Sequence, residues 1–164
     1  KIPYLMVLFF SPISQALYPY ISVRFSESYQ EGQKSVFQIF RFVILLFAVC
    51  GAGIILFRDV IISIAFGQEY VYYSNIIIPL VVCMLLSIIN NFLGIQLLVA
   101  SGHQKQYSQA FTISAVITVL LNILLGSLFG VYGVSSSAAV GEASLTILLL
   151  MKIKNVHLEV KDII

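Results

Sequence analysis

The sequence predicts an all-α, polytopic membrane helix bundle with about five transmembrane helices. Three observations carry that expectation. First, 60% of the 164 residues are hydrophobic and only 10% are charged, where an average soluble domain carries roughly 25% charged residues. Second, the charges are unevenly placed. Between residues 35 and 151 they are Arg41, Arg58, Asp59, Glu69, Lys105 and Glu142 alone, too few to cover the surface of a soluble fold. Third, the apolar stretches run to about twenty residues, the length that crosses a bilayer. Soluble-enzyme readings fall away at once.

The first span covers 3–23 and contains Pro12 and Pro19. Each proline removes a helix hydrogen bond, and lipid tolerates this only where a neighbour or a wet cavity answers the freed carbonyl. Residues 24–38 are the most polar stretch and form an exposed helical connection, with Glu27, Glu31 and Lys34 at helical spacing. The second span, 39–57, begins around Arg41 and holds Cys50-Gly51-Ala52-Gly53. Residues 58–73 read as an interfacial turn, with Tyr70, Tyr72 and Tyr73 at headgroup level. The third span, 74–100, carries Pro79, Asn90, Asn91, Gly94 and Gln96, and 101–106 is a polar loop. The fourth, 107–129, carries Ser114, Thr118 and Asn122, and Gly130–Gly133 makes a tight turn. The fifth, 134–151, repeats small residues four apart, Ser137 with Gly141 and Ala139 with Ala143, a spacing that lets two membrane helices approach closely. A tail, 152–164, follows.

Five crossings put the two ends on opposite sides. One side receives Arg24, Lys34, Arg41, Lys105, Lys152, Lys154 and Lys161; the other receives Lys1 and Arg58. By the positive-inside rule the richer side is the cytoplasm, so the C-terminal tail is expected there. The chain opens Lys1-Ile2-Pro3 without an initiator Met and reads as a piece of something longer. No short apolar core followed by a small-residue cleavage site marks a secretory signal.

Glu142 lies near the middle of the fifth span, where a carboxylate is costly and usually faces a cavity, a partner or a proton path. It is the candidate coupling group, exchanging a proton or cation during transport; the plainer alternative is a hydrogen-bonded Glu lodged among serines. Asn90, Asn91, Gln96 and Asn122 are the candidate cavity-lining polar groups. Their amides suit sugar hydroxyls, and they equally suit bonds from helix to helix. Arg24, Arg41 and Lys105 stand at the basic ends of spans, where they could receive a pyrophosphate or simply set the topology. Cys50 and Cys83 lack CxxC spacing, and His103 and His157 stand alone in loops, so no metal site or disulfide is expected. No nucleotide-binding, metalloprotease or serine-hydrolase motif occurs. The chain reads as a non-enzyme without cofactor and without a nucleic-acid partner.

Local patterns in order along the chain strengthen this. They are Ser11-Pro12-Ile13-Ser14-Gln15 with Pro19, then Phe66-Gly67-Gln68-Glu69-Tyr70, then Asn91-Phe92-Leu93-Gly94-Ile95-Gln96 running on to Ala100-Ser101-Gly102-His103-Gln104-Lys105. Leu121-Asn122-Ile123-Leu124, Phe129-Gly130-Val131-Tyr132-Gly133 and Gly141-Glu142 complete the series. Together they resemble the polysaccharide repeat-unit flippases (the O-antigen, Wzx type) of the multidrug/oligosaccharidyl-lipid/polysaccharide exporter superfamily. The resemblance implies a two-lobed transporter of about a dozen helices, with this chain as its C-terminal lobe and an N-terminal lobe as its missing partner. It implies a bacterial inner-membrane protein that moves undecaprenyl-pyrophosphate-linked oligosaccharide to the outer leaflet by alternating access, among membrane lipid and near polysaccharide polymerase machinery. A cation-coupled multidrug exporter and a non-transporting assembly scaffold are the alternative expectations.

Overall fold

The computed structural model describes residues 2–156; Lys1 and residues 157–164, with His157 and Lys161, lie outside the described residues. Helix takes up 95% of the described residues, and none of them forms a strand. Helix α1 spans Ile2–Glu27 and α2 spans Tyr29–Leu56. A short α3, Arg58–Phe66, leads through a 3₁₀ segment, Gln68–Ile76, into α4, Ile77–Asn91. A π-helical segment, Phe92–Val99, continues α4. Helix then runs from Gln104 to Asn155, but Gly130 at φ 58° and ψ −133° breaks it, so it is two helices, α5 (104–129) and α6 (131–155). Only glycine adopts that backbone conformation without strain.

Three stretches are long and apolar enough to cross a membrane: Tyr29–Leu56, Gln68–Val99 and Gln104–Asn155. The last has 52 residues, about 78 Å at 1.5 Å per residue, twice what a bilayer needs, and the break at Gly130 folds it into two. Helix α1 is long enough but less apolar, because Ser11, Pro12, Ser14, Gln15 and Pro19 fall inside it. The five long helical segments make a multi-pass membrane bundle. Large apolar side chains exposed on its outside, such as Phe42, Leu45 and Val49 on α2 and Val119, Leu120 and Ile123 on α5, would be an aggregation surface in water and suit lipid.

One extended residue, Ser28 (φ −159°, ψ 139°), turns α1 into α2. The expected exposed connection at 24–38 is therefore a helix corner, and its second half is the first turns of α2, with Gly32, Val36 and Phe37 buried. The reason is local: that stretch carries apolar residues at helical spacing among its charges. Likewise 58–73 is a short helix and a 3₁₀ stretch rather than an irregular turn, and the reversal after α5 needs only Gly130.

Helix α4 and its π continuation form the centre of the bundle, packing against α1, α2 and the α5–α6 hairpin. Ile77, Val81, Met84 and Ile88 make its buried stripe, and six of the eight π-segment residues are buried. Phe92 joins three helices: its ring lies 6.0 Å from Phe10 of α1 and 5.3 Å from Phe40 of α2, and Phe10 meets Phe47 edge-on at 5.7 Å. Such aromatic pairs add about 0.5–1.5 kcal/mol each beyond burial.

The α5–α6 hairpin closes in antiparallel register about Gly130. Ser114 donates to the Gly141 carbonyl at 3.0 Å and meets the Ser144 hydroxyl at 3.0 Å. Farther toward the turn, Ser137 donates to Asn122 Oδ1 at 2.9 Å. At the open end Lys152 Nζ donates to Gln109 Oε1 at 2.9 Å. The small-residue stripe of α6 thus faces the Ser114–Thr118–Asn122 stripe of α5, and Thr118 fills the space beside Gly141 that a Cβ would need. A Gly141→Val substitution is expected to cost about 1–3 kcal/mol by overpacking. Gly53→Val, where nothing lies within 4 Å, should be neutral or slightly stabilising, because valine has a somewhat better helix propensity than glycine. Denaturant titration of both variants in detergent checks this; equal effects would contradict the hairpin packing.

Candidate functional site: a mid-span carboxylate and two interhelical ties

Lipid supplies no hydrogen-bond partner, so a polar side chain inside a span must find one on another helix or in a cavity. The third span's amides do this in two directions. Asn90 faces α6. Its Nδ2 donates to the Glu142 carboxylate Oε2 at 2.6 Å and to the Glu142 main-chain oxygen at 2.9 Å. Its Oδ1 accepts from Thr146 Oγ1 at 2.8 Å. Ser87, one turn earlier on α4, lies close to the Glu142 carboxyl.

Asn91 and Gln96 face α1. Ser14 Oγ donates to Asn91 Oδ1 at 2.7 Å, and Gln96 Nε2 donates to the Ser14 carbonyl at 2.9 Å and its hydroxyl at 3.1 Å. In an α-helix residues five apart diverge by about 140° around the axis. The π segment, with bonds such as Ala100 N–H to Ile95 O at 3.1 Å, brings them closer to one line. Both amides therefore reach the same serine. The sequence groups the three amides as one polar cluster, whereas the fold divides them between two neighbours.

Glu142 sits twelve residues beyond Gly130, about 18 Å along α6, which is mid-bilayer for a helix that crosses there. An ionised group at that depth costs about 3 kcal/mol or more, partly offset here by the Asn90 donor. Its other side opens on a cavity of about 360 Å³ between α4, α5 and α6, lined by Cys83, Phe111, Ser114, Thr118 and Ala138. Glu142 is the one carboxylate in that lining. The arrangement holds an acid between the Asn90 donor and a largely apolar cavity, so a change in its charge acts directly on the α4–α6 contact.

Asn122 lies apart from these groups, bonded to Ser137 within the hairpin. The basic candidates stand elsewhere again. Arg24 closes α1, paired with Glu27 at 3.3 Å and lying 5.5 Å over the Tyr20 ring. Arg41 and Lys105 are exposed on α2 and in the first turn of α5. Sequence reading undervalued Ser14, Ser87 and Thr146. The signal was present, because Thr146 follows Glu142 by one helical turn and Ser87 precedes Asn90 by nearly one, so each shares its partner's face.

Asn90→Ala is expected to destabilise the bundle by about 1–2 kcal/mol, at the upper end for interhelical hydrogen bonds in membranes. Asn75→Ala, on an exposed residue of the 3₁₀ segment, should be close to neutral. A double-mutant cycle of Asn90→Ala with Thr146→Val should show coupling of about 0.5–1.5 kcal/mol in detergent unfolding; strict additivity would remove the α4–α6 tie.

No protein-family model and no solved structure matches the chain. Two curated proteins do. A Haloferax volcanii protein named as the low-salt glycan biosynthesis flippase Agl15 is 27% identical over 149 residues, 90% of this chain and 31% of that protein. An Escherichia coli K12 protein named as an O-antigen transporter is 29% identical over 151 residues, 88% of this chain and 35% of that protein. The chain thus spans about a third of the length of the curated relatives it matches. Both names describe transport across a membrane and neither describes catalysis. These alignments run through nearly all of its helices, so this multi-pass membrane chain is similar to proteins named as glycan flippase and O-antigen transporter.

Proposed function

We propose that this bundle is one lobe of a transporter that flips lipid-linked oligosaccharide across the bacterial inner membrane by alternating access. The observation that carries the reading is Glu142, a mid-span carboxylate with Asn90 on one side and a cavity on the other. In a static scaffold a neutral amide would make the same tie without the cost of a carboxylate at this depth. In a transporter it supplies a switch. Charged, it accepts from Asn90 and holds α6 to α4. Neutralised by a proton or paired with a cation, it weakens that hold, and the hairpin is free to rock against the central helix. The differential contact of one group in two states is what an ion gradient needs in order to drive a conformational change.

The names of the two relatives and the order of the motifs support a glycan-bearing substrate. The undecaprenyl-pyrophosphate carrier and the cytoplasmic C-terminus belong to the same proposal. Arg24 and Lys105 lie toward one end of the bundle, since α1 and the α4–π helix run parallel, and in this reading that end is cytoplasmic. There they would meet the phosphates of the loaded lipid before it crosses. An N-terminal lobe completes the cavity, membrane lipid surrounds it, and polymerase machinery receives the exported unit.

Deleting the intact gene should trap lipid-linked repeat units on the cytoplasmic leaflet. In the complemented strain, Glu142→Gln should lower export at least tenfold while leaving protein level unchanged, and Asp59→Asn should restore normal export. Surface polysaccharide measured by gel and leaflet-selective periodate labelling reads both. Normal polysaccharide in the deletion strain would end the flippase reading, and drug sensitivity in its place would favour the exporter.

A further inference from the structure

A second cavity, of about 410 Å³, lies between α1, the π segment and the start of α5. That volume falls within the roughly 300–1,000 Å³ of small-molecule sites. Gln15 and Tyr18 of α1 and Gln104 and Tyr107 of α5 line it, together with Ser14. Ser14 is held in place by the fully buried Gln96, whose two donor bonds go to it. The Gln96 Oε1 atom is buried and has no hydrogen-bond partner among the described residues. A buried acceptor left unpaired costs about 1–3 kcal/mol, so this network has capacity for one more donor. Gly94 shapes the wall: the Tyr107 ring lies where a Cβ on residue 94 would sit. Any larger residue there pushes the ring away.

The chemistry of the lining selects the occupant. No charged side chain lines the cavity, so an anionic phosphate would find no counter-charge. Ser14 and the Gln15 amide nitrogen already have protein partners, but a hydrocarbon tail would answer neither the Gln104 amide nor the Gln15 Oε1. Two tyrosine rings offer flat apolar faces, and the amides offer both donors and acceptors around them. A neutral sugar ring, with C–H faces and a rim of hydroxyls, answers both kinds of surface. We infer that this cavity is a binding site for a neutral sugar ring, with Tyr18 and Tyr107 against its faces and Gln15, Gln104 and Ser14 on its hydroxyls. The inference deepens the flippase reading and rests on it for its biological ligand. Gln104 precedes Lys105 in the first turn of α5, so a sugar held here leaves its linking phosphates close to that cation.

The test is direct binding to the full chain in lipid nanodiscs by saturation-transfer difference NMR. The probes are methyl α-glucoside, methyl N-acetyl-β-glucosaminide and, as a ring without the hydroxyl array, cyclohexyl methyl ether. The glycosides should give saturable transfer. Gln15→Ala and Gln104→Ala, both on exposed residues, should each weaken it about tenfold, the loss of roughly one good hydrogen bond. Gly94→Ala should abolish it, and Glu142→Gln should leave it within twofold. Absent transfer from both glycosides, equal transfer to the ether, or affinities within twofold in the Gln15 and Gln104 variants would each overturn the site. If the glycosides fail to bind while gene deletion still traps lipid-linked units, the site falls and the flippase reading stands. Glycoside binding without trapped units would keep the site and remove the flippase.

Discussion

The constraint on which the rest depends is the absence of water in the hydrocarbon core. Every donor and acceptor carried into a span must be answered by another helix, and the answers decide which helices touch. Here the central helix carries most of that demand. Asn90 binds it to α6, and Asn91 and Gln96 bind it to α1. Hydrophobic burial gives little direction inside lipid, where an apolar side chain is as well placed outside the bundle as within it. Apolar packing around Phe92 tightens the bundle, while the polar ties choose its partners.

The same constraint explains the π segment. A stretch of α-helix would aim Asn91 and Gln96 at different neighbours, and one of them would face lipid or an apolar wall. Widening the helix over Phe92–Val99 brings both onto Ser14. The cost of poorer local backbone geometry is met by satisfying two amides. It also leaves Gln96 Oε1 unanswered, next to Ser14, which lines the second cavity.

Much of the fold was legible in the sequence because its signals are one-dimensional. Charge scarcity and stretch length gave the helices, and the small residues Ser137 and Gly141 marked the close α5–α6 contact. Gly130 was legible as a turn, though the turn is one residue rather than four. What could not be read was direction around an axis. Asn90 and Asn91 are neighbours in sequence and point to opposite sides of the bundle, and helical spacing misplaces Gln96 because the π segment changes the repeat. The corner at Ser28 was hidden for a related reason. A single extended residue between two helices leaves no composition signal, and the charges around it masked the buried Val36 and Phe37.

In the proposed transporter the central helix stands between two candidate sites: a titratable group on the α6 side and an uncharged cavity on the α1 side. Coupling between them requires that water reach Glu142 in at least one state. The most direct measurement is thiol accessibility of Glu142→Cys in a Cys50→Ala, Cys83→Ala background of the intact transporter. A hydrophilic, membrane-impermeant methanethiosulfonate reagent should modify it from one side of the membrane, with Lys105→Cys as the accessible reference. The account predicts that lipid-linked oligosaccharide slows this reaction severalfold. A position 142 thiol that stays inert to the reagent from both sides, while the reference reacts, would contradict it.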